Sequence, residues 1–264
     1  MYSILEHYLS TNHILMIGMI VTFILTFFLL EHPFSFLPSD QGRAFAVNGS
    51  LSKGKLRGVG FIFVLCFLIS SVLFLPIDVE YVIYAILLFA MMISGYLDDA
   101  SKTPWNEYKK GLIDLVISVV AVLTYMNFNS TTICFGADEI VIPKALFLIL
   151  GVILIWVSVN VTNCTDGVDG LCASLCSVTL LAFGVLFAPV LQKYAMANFL
   201  FLSVLFAYLY FNSSPSSMLM GDAGSRALGF YIAVIALKST HPFIYILLAA
   251  VMIVDGGIGL VKIA

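Results

Sequence analysis

Charge is scarce in this 264-residue sequence. Asp, Glu, Lys and Arg together make up 10% of it, against 61% hydrophobic residues, and a mean hydropathy of +1.08 excludes a soluble domain of this length. The net charge of −3 comes with no basic stripe interleaved with aromatics, so no nucleic-acid partner is expected. Cys66, Cys134, Cys164, Cys172 and Cys176 include no C-x-x-C pair, which points to free thiols and no zinc. His7, His13, His32 and His241 lack metal-ligand spacing. No Lys or Arg precedes the first apolar stretch, where Glu6 and His7 stand instead. A cleavable secretory signal would need that positive start, so the first span is expected to stay.

What fills the chain is apolar sequence long enough, or nearly so, to cross about 30 Å of hydrocarbon. Nine such spans can be drawn: Ile14 to Leu30, Gly58 to Leu75, Val79 to Leu97, Leu112 to Phe128, Ala145 to Val159, Leu171 to Leu191, Phe199 to Phe211, Ala227 to Leu237 and Pro242 to Lys262. The seventh and eighth are short by a simple window. Lipid-exposed backbone must satisfy its own hydrogen bonds, and no regular ten-residue alternation suggests a barrel. The expected fold is therefore all-α, a single polytopic membrane domain over residues 1–264.

Basic residues set the orientation. Assigning alternate connections to opposite faces puts Arg43, Lys53, Lys55, Arg57, Lys102, Lys109, Lys110, Arg226 and Lys262 on one side and only Lys144, Lys193 and Lys238 on the other. The richer side is expected to be cytoplasmic, with the amino terminus outside. Three polar clusters then fall on the cytoplasmic side, although the charge count did not require it.

These clusters are the main clue to function, because carboxylates gathered between apolar spans are costly unless solvated, paired or bound to a cation. The first is Asp98-Asp99, followed by Lys102 and by Pro104, which marks a break. Adjacent aspartates repel, so one can act as a base, or both can be held ionised by Mg²⁺ or Lys102. Taken alone, the pair also suits a solvated helix end.

In the second cluster Asn160, Asn163, Asp166 and Asp169 recur every three residues, with Gly167 and Gly170 following the two aspartates. Asn and Asp offer directional contacts to a nucleobase, ribose or metal shell, and glycine permits close backbone approach. The third, Gly221-Asp222-Ala223-Gly224-Ser225, feeds a helix amino terminus, where free N–H groups suit phosphate and Asp222 suits a divalent cation. Helix capping by Asp or Ser is the plainer reading.

Ser52 to Gly60 is basic and glycine-rich. It lacks the Gly-Lys-Ser/Thr ending of a P-loop, and either positive-inside anchoring or diphosphate neutralisation accounts for it. Asp114 and Asp255 lie inside helices, as supporting residues of a site or as partners of a neighbouring helix.

The ordered set L-D-D, N-x-x-N-x-x-D-G-x-D-G-L and M-G-D-x-G-S resembles the polyprenyl-phosphate N-acetylhexosamine-1-phosphate transferases over nearly the whole chain. Within that superfamily, Gly221 to Gly229 and the Lys53 loop look most like the phospho-N-acetylmuramoyl-pentapeptide transferase branch of bacterial peptidoglycan synthesis. The resemblance implies a multi-pass protein of the bacterial inner membrane with its active site at the cytoplasmic face. It implies a Mg²⁺-dependent reaction of UDP-MurNAc-pentapeptide with undecaprenyl phosphate that gives UMP and lipid I, the first lipid-linked precursor. By residue, it implies Asp98 as the base, Asp99 assisting it, and Asp222 as catalytic metal ligand. Lys53, Asn160, Asn163, Asp166, Gly167, Asp169 and Asn212 match substrate-binding positions. Dimers are common in the family.

The family pattern continues past the ninth helix into a histidine-containing cytoplasmic loop and a tenth helix, whereas this sequence stops at Ala264; a truncated record is the expectation. Two other readings remain. One is a sibling transferase using UDP-GlcNAc. The other, from a different class, is an ion-coupled transporter, which would place charges near midspan in discontinuous helices.

Overall fold

The structure, a computed structural model, describes residues 1–32, 34–42, 52–103, 105–136 and 138–263. Arg43, Pro104, Ala264 and the side chain of Lys262 lie outside this description. The helices are α1 (Tyr2–Leu5), α2 (Thr11–Glu31), α3 (Gly60–Phe74), α4 (Val79–Asp99), α5 (Glu107–Phe128), α6 (Lys144–Thr165), α7 (Leu171–Leu186), α8 (Ala188–Leu191), α9 (Lys193–Asn212), α10 (Gly221–Lys238), α11 (Ile244–Leu248) and α12 (Ala250–Ile263). Among the described residues α2, α4, α5, α6 and α9 are long and apolar enough to cross a membrane, and α3, α7 and part of α12 are shorter apolar helices. The chain is a polytopic helical membrane protein.

Local chemistry sets several of the boundaries. Ser10, Asp78 and Asn106 stand in extended conformation before α2, α4 and α5, and each side chain accepts the N–H of the residue three positions on, which satisfies one orphan donor of the first turn. The sixth expected span breaks into α7 and α8 at Phe187, and the ninth into α11 and α12 at Ala249. The all-α expectation holds, with one small addition. Thr132–Phe135 (β1) and Asp138–Val141 (β2) form an antiparallel hairpin, with Cys134 opposite Glu139. Its β-branched and aromatic residues around Gly136 suit a turn-linked pair of strands.

Helix α10 is the centre of the bundle. It packs against α3, α4, α6 and α7, and every residue from Gly221 to Leu237 is buried. Small side chains permit this, since helices in lipid associate chiefly by close van der Waals contact. A Cβ on Gly95 of α4 would stand 2.3 Å from the carbonyl oxygen of Asp222, so α4 can lie against the start of α10 only with glycine there. Around this core, Ile20, Phe28, Val72, Ile86, Val116, Ile153, Val178 and Val254 are exposed, the outward apolar belt that a bilayer requires.

Candidate active site

The antiparallel packing of α4 and α10 brings the end of one to the start of the other. Met220, in the N-cap position of α10, provides no side-chain cap. Asp99 does so from outside the helix. Its Oδ1 accepts the N–H of Asp222 at 3.1 Å and its Oδ2 accepts that of Ala223 at 3.0 Å, so a negative charge sits at the positive end of the helix. Gly221 makes the approach possible: its φ is +67°, and a Cβ there would stand 2.3 Å from Asp99 Oδ2.

Two cations knit the carboxylates together. Arg57 donates through Nε to Asp99 Oδ1 at 2.8 Å, through Nη2 to Asp222 Oδ1 at 3.3 Å and through Nη1 to Asp40 Oδ1 at 3.4 Å. Burial works against this charge, but Asp99, Asp222 and Asp40 outweigh it and hold the guanidinium protonated well above its ordinary range. Lys110 Nζ lies 2.7 Å from Asp98 Oδ2 and 3.4 Å from Asp222 Oδ2. The other oxygen of Asp98 accepts the Trp105 N–H at 2.7 Å. Lys102, the cation nearest to the pair in sequence, is exposed.

The second cluster divides. Asn163, on the last turn of α6, accepts the Ser225 hydroxyl at 2.7 Å and so joins α6 to α10. Asn160 is half-buried and donates to the Trp156 carbonyl of its own helix at 2.8 Å. Asp166 is the C-cap of α6, and Gly167 lies in the turn that follows. Asp169 accepts the Ser216 N–H at 2.9 Å and its hydroxyl at 2.8 Å, and stands 3.6 Å from Lys55 Nζ. Burial pushes the Asp169 carboxyl up, but Ser216 and Lys55 outweigh it and hold the group below the usual carboxylate range. Asn212 is a buried clamp that accepts the Gly170 N–H at 3.0 Å and donates to the Met218 carbonyl at 2.9 Å.

A strap runs over this end of the bundle. Arg57 N–H donates to Pro38 O, Asp40 N–H to Lys55 O and Leu219 N–H to Leu56 O, so Leu56 bridges both Ser39 and Met218. Side chains alternate along such extended backbone, and Lys55 and Arg57 share one side. Lys55 reaches Ser216 and Asp169, while Arg57 reaches Asp99 and Asp222. Lys53 is exposed.

All three clusters and the basic loop thus meet at one end of the bundle. Asp40 and Lys110 have no motif to announce them, and although Arg57 and Arg226 lie inside stretches that the sequence singles out, nothing local points to their partners Asp99, Asp222 and Asp114. Arg226, one turn along α10 from Asp222, is almost fully buried and pairs with Asp114 of α5. Asp114 is therefore the partner of a neighbouring helix, and Asp255 is exposed. At the opposite end of α4 and α10, Lys238 bonds both oxygens of Glu80 at 3.0 Å and the side chain of Asn129 at 2.7 Å.

Sequence comparison places this arrangement. Residues 81–240, the segment carrying Asp98, Asp99, the Asn160 to Asp169 cluster and Asp222, match glycosyl transferase family 4. The phospho-N-acetylmuramoyl-pentapeptide-transferase of Treponema pallidum strain Nichols is 35% identical over 94% of this chain and 74% of its own length. Proteins of the same name from Halalkalibacterium halodurans and Dictyoglomus turgidum are 28% and 25% identical, each over 92% of this chain and over 81% and 80% of their lengths. With the match running through every polar cluster and most of the helical bundle, the chain belongs to glycosyl transferase family 4.

Proposed function

We propose that this protein transfers phospho-N-acetylmuramoyl-pentapeptide from its UDP carrier to undecaprenyl phosphate, releasing UMP and forming lipid I at the cytoplasmic face of the bacterial inner membrane. One observation carries the reading. Asp98, Asp99 and Asp222 converge with Arg57 and Lys110 at a single end of an apolar bundle, where a water-soluble nucleotide and a lipid phosphate can meet. The carboxylates sit at helix ends rather than midspan, which favours a transferase over an ion path.

Mg²⁺ fits the residues present. Four carboxylates with buried side chains, Asp40, Asp98, Asp99 and Asp222, share two cations, Arg57 and Lys110, so carboxylates outnumber cations. Among the described residues no three His, Cys, Asp or Glu side chains close into a metal cage. Mg²⁺ needs none, since it ordinarily takes one or two carboxylates and completes its shell with phosphate and water. Asp222 would hold it, as its contacts to Arg57 and Lys110 are long and exchangeable. When bound, the ion supplies charge neutralisation for the diphosphate and the leaving UMP.

The acceptor phosphate oxygen attacks the sugar-bearing phosphorus, the phosphoanhydride bond to UMP breaks, and UMP departs with that electron pair. Asp98 is the proton acceptor for the lipid phosphate, with Lys110 Nζ 2.7 Å from its Oδ2. Asp99 has both oxygens committed to α10 and Arg57, so its role is to hold Asp222 in place. Asp169 and Asn212 keep the loop after α6 and the loop before α10 against each other, and Asn163 ties α6 to α10, to form the donor-binding side. A homodimer is the oligomeric state to test.

The test is extraction of labelled lipid I from membranes containing the protein, undecaprenyl phosphate and labelled UDP-MurNAc-pentapeptide, beside an arm with UDP-GlcNAc. Product from the muramoyl donor alone supports the reading. Product from UDP-GlcNAc alone moves the chain to the sibling transferases, and no product from either sinks the assignment.

A further inference from the structure

Arg57 differs from every other cation of the site in how it is held. Its backbone is fixed, because its own N–H donates to Pro38 O and the adjacent Leu56 is bonded to Leu219. Its Nε is locked onto Asp99 at 2.8 Å, whereas its terminal nitrogens reach Asp222 and Asp40 at 3.3 and 3.4 Å. Charge-assisted bonds settle near 2.7–2.9 Å, so the last two contacts are loose. The side chain is 31% exposed, while those of Asp99 and Asp40 are 0% and that of Asp222 is 9% exposed. The guanidinium is thus the partly exposed cover of a buried acidic cluster, anchored tightly by one nitrogen, with its two terminal nitrogens on long contacts to Asp40 and Asp222. A planar fork with spare donors matches two oxygens of one phosphate group.

We infer that Arg57 is a phosphate-binding residue of the active site, whose terminal nitrogens exchange the loose contacts to Asp40 and Asp222 for phosphate oxygens of a substrate. Asp99 keeps Nε throughout, so the fork is pre-oriented. The exchange also frees an oxygen of Asp222. The donor diphosphate and the lipid monophosphate present the same phosphate chemistry to the fork. The inference rests on the transferase reading, yet it is testable without turnover.

The chain has three arginines, Arg43, Arg57 and Arg226, and Arg226 is 1% exposed. Detergent-purified protein is treated with phenylglyoxal, and modification is mapped by peptide mass spectrometry, which separates Arg57 from Arg43. Probes run in pairs, UDP against uridine and undecaprenyl phosphate against undecaprenol. Protection of Arg57 by UDP but not uridine assigns it to the donor, and protection by undecaprenyl phosphate but not undecaprenol assigns it to the acceptor. Equal modification with all four overturns the proposal. In the kinetic arm, Arg57→Lys keeps the charge but loses the fork. KM for the assigned substrate rises about tenfold, as for one charge-assisted bond lost, while kcat falls far less. A lowered melting temperature with unchanged KM for both substrates assigns Arg57 a purely structural role and overturns the proposal. Lack of turnover by the wild type, with Arg57 still protected by UDP, would fault the transferase reading and leave this inference standing.

Discussion

The carboxylate of Asp99, on the last turn of α4, caps the first turn of α10 by accepting the N–H groups of Asp222 and Ala223 at 3.1 and 3.0 Å. The second aspartate of the Asp98-Asp99 pair therefore sets the position of the aspartate proposed to carry the metal, while the first faces Lys110.

Replacing Asp99 by Ala removes that cap and leaves Arg57 without its tightest partner. A lost cap alone costs about 1 kcal/mol, and the stranded guanidinium adds to it. The expected outcome is a lower melting temperature together with a loss of lipid I synthesis. Asp99→Asn, which retains an acceptor oxygen, should melt closer to wild type. Melting of the two variants in detergent, beside lipid I assays, checks this, and a wild-type melting temperature in Asp99→Ala would contradict it.

The buried Arg226–Asp114 pair gives a test of stability away from the substrates. Both side chains are nearly inaccessible, at 2% and 3% exposure, and Nε and Nη1 of Arg226 make no hydrogen bond within the protein. Arg226→Leu strands Asp114 and should destabilise by about 3–5 kcal/mol, whereas Asp114→Leu/Arg226→Leu removes both charges and should recover most of that loss. Denaturant melts of the single and double variants report the difference. A double variant no more stable than the single would contradict this account of the pair.

The clamp on Asp169 predicts a pH signature. Its carboxyl lies below the usual range in the folded protein, so its contribution to stability is fully present above the unfolded value of about 3.9. That contribution is lost as pH falls through the lower folded value. The melting-temperature gap between wild type and Asp169→Asn should therefore be level between about pH 8 and 5 and should close below about pH 4. A gap that widens toward acid would refute it.

The clusters and most spans were legible in the sequence because both are local. Asp98-Asp99, the three-residue spacing from Asn160 to Asp169 and the run from Gly221 to Ser225 announce themselves within a dozen residues, and family 4 membership agrees with them. The cations that pair with these carboxylates were not legible. Arg57 meets Asp99 across 42 residues and Arg226 meets Asp114 across 112, and neither spacing leaves a periodic trace. Lys53 is singled out by the family resemblance, but the alternation that aligns Lys55 with Arg57 exists only once the strap pairs with Pro38, Asp40 and Leu219. Helix α10 read as short, from Ala227 to Leu237, because a hydropathy window penalises Gly, Asp, Ser and Arg. Those residues form the first turns of the bundle's central helix, with Asp99 as its cap. The β1–β2 hairpin left no period-two trace, because neither Thr132–Phe135 nor Asp138–Val141 alternates polar with apolar residues and β2 is exposed throughout.

The most direct measurement is Mg²⁺-dependent release of UMP from UDP-MurNAc-pentapeptide with undecaprenyl phosphate, for wild type and Asp222→Asn side by side, with melting curves to confirm folding. Wild-type turnover should vanish with chelator and return with Mg²⁺. In Asp222→Asn it should fall by about a hundredfold or more at unchanged fold, because metal stabilisation of phosphoryl charge supplies several kcal/mol. Full turnover in Asp222→Asn, or UMP release indifferent to chelator, would contradict the assignment of this acidic cluster as the catalytic metal site.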